Sequence, residues 1–148
     1  MGNYETLNEL LVTLFRDVMD IEQKVIITPE FKDITNNDMH VINAIGVGTT
    51  KNMSSIAKEL SVTVGTLTIS MNSLVKKGYV TRCRSTQDRR VVHISLSEKG
   101  VKAYYHHKHF HEQMIQGVVE VLTEEELQAL IKALTKLNSW FRSFGKDE

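Results

Sequence analysis

One cysteine, one proline and a net charge of zero set the first limits on this chain of 148 residues. Cys83 has no second cysteine with which to close an internal disulfide, which fits a reducing compartment. No apolar run approaches the roughly 18 residues that a membrane helix requires. The opening "MGNYETLNEL" also lacks the basic-then-apolar order of a secretory signal. A cytoplasmic protein is expected. Internal repeats, low-complexity tracts and a linker are missing, and the single proline is Pro29. There is no Gly-rich phosphate loop, no G-x-S-x-G, no carboxylate pair in a catalytic constellation and no set of Glu-x-x-His motifs on several helices. An enzyme is therefore not expected, and neither is a resident cofactor. Zero net charge excludes a uniformly basic nucleic-acid binder, which leaves the distribution of charge as the informative quantity.

That distribution is uneven. Basic and acidic residues number 3 and 8 over positions 1–50, 2 and 1 over 51–75, 9 and 2 over 76–111, and 4 and 7 from 112 onward. The resulting balances are −5, +1, +7 and −3. A positive segment between acidic flanks steers a polyanion to one face while the rest stays soluble.

At 41% hydrophobic residues the chain is long enough for one domain, 1–148, that buries about 70% of its unfolded surface. Leu7, Leu10, Leu11, Leu14, Val18, Ile21 and Val25 recur in steps of three and four, predicting a long amphipathic helix that ends before Pro29. A Thr35-x-x-Asp38 capping box opens a second, short helix stopped by Gly46 and Gly48. A third is predicted from near Ser54, and only Ser61 and Val62 separate it from a fourth running from Thr63 to Gly78, the spacing of a helix-turn-helix. "YVTRCRS" and "VVHISLS" are short strand-like runs joined by the polar loop Thr86 to Arg90, which reads as a hairpin wing. Ser97 caps a long fifth helix and Thr123-x-x-Glu126 a sixth. The expected fold is mainly α with a small β-hairpin: a winged helix-turn-helix over 35–100, flanked by dimerisation helices over 1–34 and 101–148. The terminal apolar stripes exceed what the central module can cover, which points to a homodimer with two reading heads.

The fourth helix turns Thr63, Gly65, Thr66, Ile69, Ser70 and Ser73 outward and has no arginine, lysine, glutamine or histidine there before Lys76. Methyl groups on this face suit thymine and its hydroxyls suit phosphates or base edges, so the expected target is an A·T-rich palindrome in double-stranded DNA. Ser54 and Ser55 are expected to take phosphates through N–H groups and hydroxyls, with Lys76, Lys77, Arg82 and Arg84 as further phosphate partners. At the wing tip, Gln87 and Arg89 join Arg90, and Asp88 is placed to hold one guanidinium outward for a narrow minor groove.

Asp88-Arg89-Arg90 followed by "VVHISLSEKG" resembles the D-x-R wing signature and "LT-x-KG" strand-to-helix junction of the MarR family of bacterial transcription regulators, with Ser97 where threonine is usual. The resemblance extends over nearly the whole chain and implies that Arg90 enters the minor groove while Asp88 orients it. "FKDITNNDMHVINAIG", "VTVGTLTISMNSLVKKGYV" and "HKHFHEQM" are similar to the fatty-acid-synthesis repressors of low-GC Gram-positive bacteria, the FabT branch of that family. That likeness implies long-chain acyl–acyl carrier protein as corepressor. An acyl chain is then expected near Met39, Ile42, Tyr104 and His107. Other members of the family sense zinc, and His107 and His111, one helical turn apart, form with His40 the alternative metal set. Family members that sense peroxide carry their cysteine near the N-terminal helix, so Cys83 in the wing is expected to be a structural thiol. A protein-interaction module without DNA is the remaining alternative, separated by salt-dependent DNA affinity.

Overall fold

The computed structural model describes residues 2–144. Among these residues it contains α1 (Asn3–Ile26), α2 (Asn36–Ile45), α3 (Met53–Leu60), α4 (Val64–Lys77), β1 (Val80–Arg84), β2 (Val92–Leu96), α5 (Glu98–Val121) and α6 (Glu124–Phe144). This is the winged-helix architecture expected from the sequence. The start signals act as anticipated. Thr35 and Asp38 form a reciprocal capping box on α2, Thr63 accepts the Thr66 N–H at the start of α4, and Thr123 and Glu126 cap α6 in the same reciprocal way. The third helix departs slightly from expectation. It begins at Met53, because the Asn52 side chain takes the Ser55 N–H at 2.8 Å and so acts as its N-cap.

The chain forms two compact units with the boundary after Phe110, inside α5. Ile26 at the end of α1, Phe31 and Ile34 in the following loop, and Ala103 on α5 lie in the same buried cluster as the winged helix. That core is centred on Ile42 and Ile45 of α2, Ile56 of α3, Leu67, Met71 and Leu74 of α4, and Ile94 of β2. In the first unit, α1 leaves Leu7, Leu10, Leu14 and Phe15 exposed. In the second, α6 contains no buried residue and exposes Leu134, Leu137, Trp140, Phe141 and Phe144. Aliphatic and aromatic stripes of this size are exposed at a cost in water that a partner surface removes.

The hairpin is antiparallel, in register from Val80 opposite Leu96 to Arg84 opposite Val92. Lys51 adds a short third rung: its N–H donates to the Ile94 carbonyl at 2.9 Å and its carbonyl accepts the Ile94 N–H at 2.7 Å. The base of the wing is thereby tied to the segment entering α3. At the exit of the wing Ser97 caps α5, accepting the Gly100 N–H at 3.1 Å, and donates its own hydroxyl proton to the Gly78 carbonyl. Gly100 is required by close approach: a Cβ there would run into the Tyr79 carbonyl oxygen and crowd Leu96. The "SEKG" of the sequence is thus a junction at which α4, β1 and α5 converge.

Candidate nucleic-acid interface

The candidate reading surface is the face of α4 opposite its buried stripe of Leu67, Met71 and Leu74. Thr63, Gly65, Thr66 and Ile69 are exposed, and Ser70 and Ser73 are half-buried. Ile69 stands out at 74% exposure, an aliphatic group with its methyls in solvent at the centre of the face. Gly65 has no steric need to be glycine, since the nearest atom to a built Cβ is the Thr63 hydroxyl at 3.9 Å; it keeps the front of the helix thin. The turn into α4 is held by Ser61 in the left-handed region at φ 56°, with its N–H returned to the Ala57 and Lys58 carbonyls. Only side chains on α4 that face the core are fixed by packing. The outward hydroxyls are fixed by hydrogen bonds: Thr63 to Thr66 at 2.9 Å, and the Asn37 amide of α2 to Ser70 at 3.0 Å.

The wing is ordered by its own polar groups. Ser85 Oγ accepts the N–H groups of Gln87 and Asp88, and Ser85 and Val91 close the loop through their backbones. Asp88 receives three bonds from Arg90: the backbone N–H at 3.0 Å, Nε at 3.2 Å and Nη2 at 3.4 Å. These bonds, the side-chain ones first, hold the Asp88 carboxyl below the ordinary carboxylate range. The Arg90 side chain is nonetheless 91% exposed, so its fork is oriented and still reaches solvent. Arg82 donates to the Asn72 carbonyl oxygen of α4 at 2.6 Å, and Arg84 donates to the Arg89 carbonyl at 3.4 Å. A shallow cleft of about 220 Å³ is lined by Asn52, Met53 and Ser54 together with Arg90, Val91 and Val92. The start of α3 and the wing therefore face one space. Arg84, Ser85, Thr86 and Arg89 line an open depression on the wing itself.

Several expected site residues are placed otherwise. Lys77 is not a free phosphate partner: its ammonium lies 2.8 Å from the Asp38 carboxylate, which is buried and at the same time caps α2. The Ser55 N–H is taken by Asn52, which leaves Ser55 its hydroxyl for a phosphate. Lys76 and Ser54 are exposed. Cys83 is exposed on β1 instead of packed as a structural thiol, because only Val80 of that strand turns inward. Of the anticipated ligand residues, Met39 and Ile42 are closed core, Tyr104 is half-buried edge-on to Tyr105, and the buried His107 is bonded to Glu22 of α1 at 2.7 Å. The neighbouring His106 meets the Val25 carbonyl at 2.7 Å; a carbonyl only accepts, so Nε2 of His106 carries the proton. His40 is exposed on α2 beside a cavity of about 330 Å³ lined also by Asn37, Glu59, Thr66 and Ser70, and among the described residues it joins no three-ligand group. Glu22, Asn37, Asn52 and Asn72 were not anticipated. Asn52 alone had a local signal, an amide three residues before a helical N–H.

No helix among the described residues is long and apolar enough to cross a membrane. The chain is similar over nearly its whole length to FabT of Streptococcus pneumoniae, solved in complex with DNA: 40% identity and TM-score 0.88, covering 96% of this chain and 99% of that one. It is similar also to a cysteine-to-serine mutant of Escherichia coli MarR complexed with operator DNA, at 25% identity and TM-score 0.67 over 89% of this chain and 93% of that one. The HTH-type transcriptional regulator SarZ of Staphylococcus saprophyticus is 40% identical over 68 residues, 46% of this chain and 47% of that protein. Across the first curated relatives the matched stretches span from about half to about three quarters of their length. Residues 24–105, more than half of the chain, match the SarA/Rot family of transcriptional regulators. With that match, the winged helix built around α4 and its basic wing is a regulator's DNA-binding fold, and the chain belongs to the SarA/Rot family.

Proposed function

We propose that the protein is a homodimeric, cytoplasmic repressor that binds an A·T-rich palindromic operator at fatty-acid-synthesis genes and takes long-chain acyl–acyl carrier protein as corepressor. The observation that carries the DNA-reading part is the pairing of an uncharged hydroxyl-and-methyl face on α4 with an exposed, carboxylate-oriented Arg90 across one cleft from the start of α3. A helix of this width enters the major groove, and arginine is drawn into a minor groove narrowed by A·T sequence. Ser54, Lys76, Arg82, Arg84 and Arg89 supply phosphate contacts, which position the protein without reading sequence. The exposed stripes of α1 and α6 support dimerisation, and a two-fold dimer presents its reading heads about one helical turn, roughly 34–36 Å, apart.

The likeness to FabT supports the choice of fatty-acid-synthesis genes and of the acyl corepressor. Acyl carrier protein is strongly acidic, and the +7 segment over 76–111 suits it. Seating an acyl chain near Met39, Ile42, Tyr104 and His107 requires the core there to open, because Met39 and Ile42 have almost no exposed surface. The test is fluorescence anisotropy with duplexes selected from random-sequence DNA, titrated with salt, with acyl–acyl carrier protein, and with zinc or a chelator. Steep loss of affinity with salt and tighter binding with the acyl protein are expected. A response to zinc alone would move the effector assignment to the histidines of α5, where Glu22 already faces His107.

A further inference from the structure

We propose that Asn37, on α2 and outside the helix-turn-helix, sets the hydrogen-bond polarity with which Ser70 reads a base, committing that hydroxyl to donate. The proposal rests on the DNA-reading role assigned above to the outward face of α4.

A serine hydroxyl has one proton and two lone pairs, and alone it rotates to suit either a donor or an acceptor. Ser70 is not alone. The Asn37 amide, an obligate donor through Nδ2, occupies one lone pair at 3.0 Å from a position 33 residues earlier in the chain. Among the described residues Ser70 has no second hydrogen-bond partner. Thr68, further round the same helix, shows the usual alternative: its proton goes back to the Val64 carbonyl at 2.8 Å. The Ser70 proton makes no such bond. With a lone pair held by Asn37, the proton is left for a partner in the cleft beside α2 and α3 that half-buried Ser70 lines together with Thr66.

In the major groove the acceptors are purine N7, guanine O6 and thymine O4, whereas cytosine offers the N4 amine as a donor. A committed donor therefore favours thymine over cytosine. Ile69, 74% exposed and about 100° round the helix from Ser70, offers an apolar contact to a thymine methyl on the adjoining part of the face. Thymine is the only base that presents an acceptor and a methyl group together. Asn37 is thus a positioning residue for specificity: it need not touch DNA to decide which base the helix accepts.

The experiment uses the full chain and a duplex enriched by it from random-sequence DNA, with each T·A pair of a half-site replaced in turn by 5-methylcytosine·G, which keeps Watson–Crick pairing and the methyl and exchanges O4 for an amine donor. Replacement by deoxyuridine, which keeps O4 and removes the methyl, reports Ile69 separately. For the wild type, 5-methylcytosine at one position should weaken binding by about tenfold, the effect of one good base contact. Asn37→Asp supplies an acceptor for the Ser70 proton and turns lone pairs to the groove, so the same replacement should cost less than twofold or be preferred. In the Ser70→Ala background the two residues at position 37 should give the same base preference, a coupling that a purely structural role for Asn37 would not produce. Thermal melting followed by circular dichroism verifies that each variant is folded; Asn37 is exposed, and aspartate is a favourable residue in a first helical turn. Asn37→Asp with the wild-type preference, or a wild type that binds the duplex equally well with 5-methylcytosine at every thymine, overturns the proposal. Failure to enrich any duplex is a different result: it removes the DNA-reading role and this proposal with it.

Discussion

On the outward face of α4, Thr66, Ile69, Ser70 and Ser73 carry no charge, while Arg82, Arg84, Arg89 and Arg90 crowd the wing. The two surfaces also differ in how they are held. The α4 face is the reverse side of a helix anchored by three core residues, and its hydroxyls are aligned by Thr63 and Asn37. The wing, whose strand β1 buries only Val80, is aligned at its tip by Ser85 and Asp88 acting within a few residues of themselves. Neutral groups on a rigid support discriminate between base edges, whereas cations supply counterion release and, at a narrow minor groove, shape readout. In the proposed function base-edge readout therefore rests on α4, and phosphate affinity together with the Arg90 shape contact on the wing.

The largest expected effect abolishes the comparison by removing the junction common to both surfaces. Gly100→Ala drives a methyl into the Tyr79 backbone, which cannot swing aside as a flexible side chain would. A destabilisation on the order of 3 kcal/mol is expected, at the upper end for overpacking. Denaturant unfolding measures it, and DNA affinity falls with the folded fraction. Ordinary stability in the alanine variant would show that α5 and the end of α4 have slack there.

Arg90→Ala then sharpens the contrast. Loss of the oriented guanidinium should weaken operator binding by roughly 1–3 kcal/mol and leave the unfolding midpoint unchanged, since the side chain is almost fully exposed. Non-specific and specific DNA should lose affinity to different extents if the arginine reads minor-groove width. Asp88→Asn, which keeps a weaker neutral acceptor, should fall between. Because bonding to Arg90 depresses the Asp88 pKa, its orienting effect persists at all pH values above the ordinary carboxylate range and is lost as pH falls below it.

Much of this layout is legible from local sequence. Capping boxes at Thr35 and Thr123, the Thr63 cap, the glycine stop at Gly78 and the strand-like runs on either side of the polar loop each depend on residues within about four positions. Side-chain bonds across the chain are not legible in that way. Lys77 looks like any solvated lysine at a helix end until α2 brings Asp38, 39 positions earlier, against it. The same holds for Asn37 with Ser70 and for Glu22 with His107, 85 positions apart. The anticipated acyl site illustrates the limit from the apolar side: helix periodicity places Met39 and Ile42 inward, and inward here means filled.

The lysine pair at the end of α4 tests the division of labour directly. Lys77→Ala leaves the buried Asp38 carboxylate without its cation, with only the Thr35 N–H still bonded to it, and should cost about 1–2 kcal/mol of stability with no change in the salt slope of DNA binding. Lys76→Ala should do the opposite: unchanged unfolding and a slope reduced by about one ion. Equal behaviour of the two would place Lys77 in the phosphate set after all.

The smallest effect lies beneath both surfaces. Tyr79, fully buried at the α4–β1 junction, donates its hydroxyl to the exposed Asp33 at 2.7 Å, with Lys99 over its ring at 4.4 Å. Burial first, and then the bond to Asp33, push the Tyr79 pKa well above its ordinary value, while the same bond lowers that of Asp33. Tyr79→Phe should cost about 1 kcal/mol near neutral pH. The sign of its pH dependence follows from the two shifts. Above about pH 10 the unfolded tyrosine ionises before the folded one, so wild-type stability declines and the difference from the phenylalanine variant shrinks. Below about pH 4 protonation of Asp33 weakens the bond and the difference shrinks again. A stability difference that stays flat from acid to alkali would mean that the phenol contributes through packing alone, and that the junction under the wing and reading helix is held by shape without this polar contact.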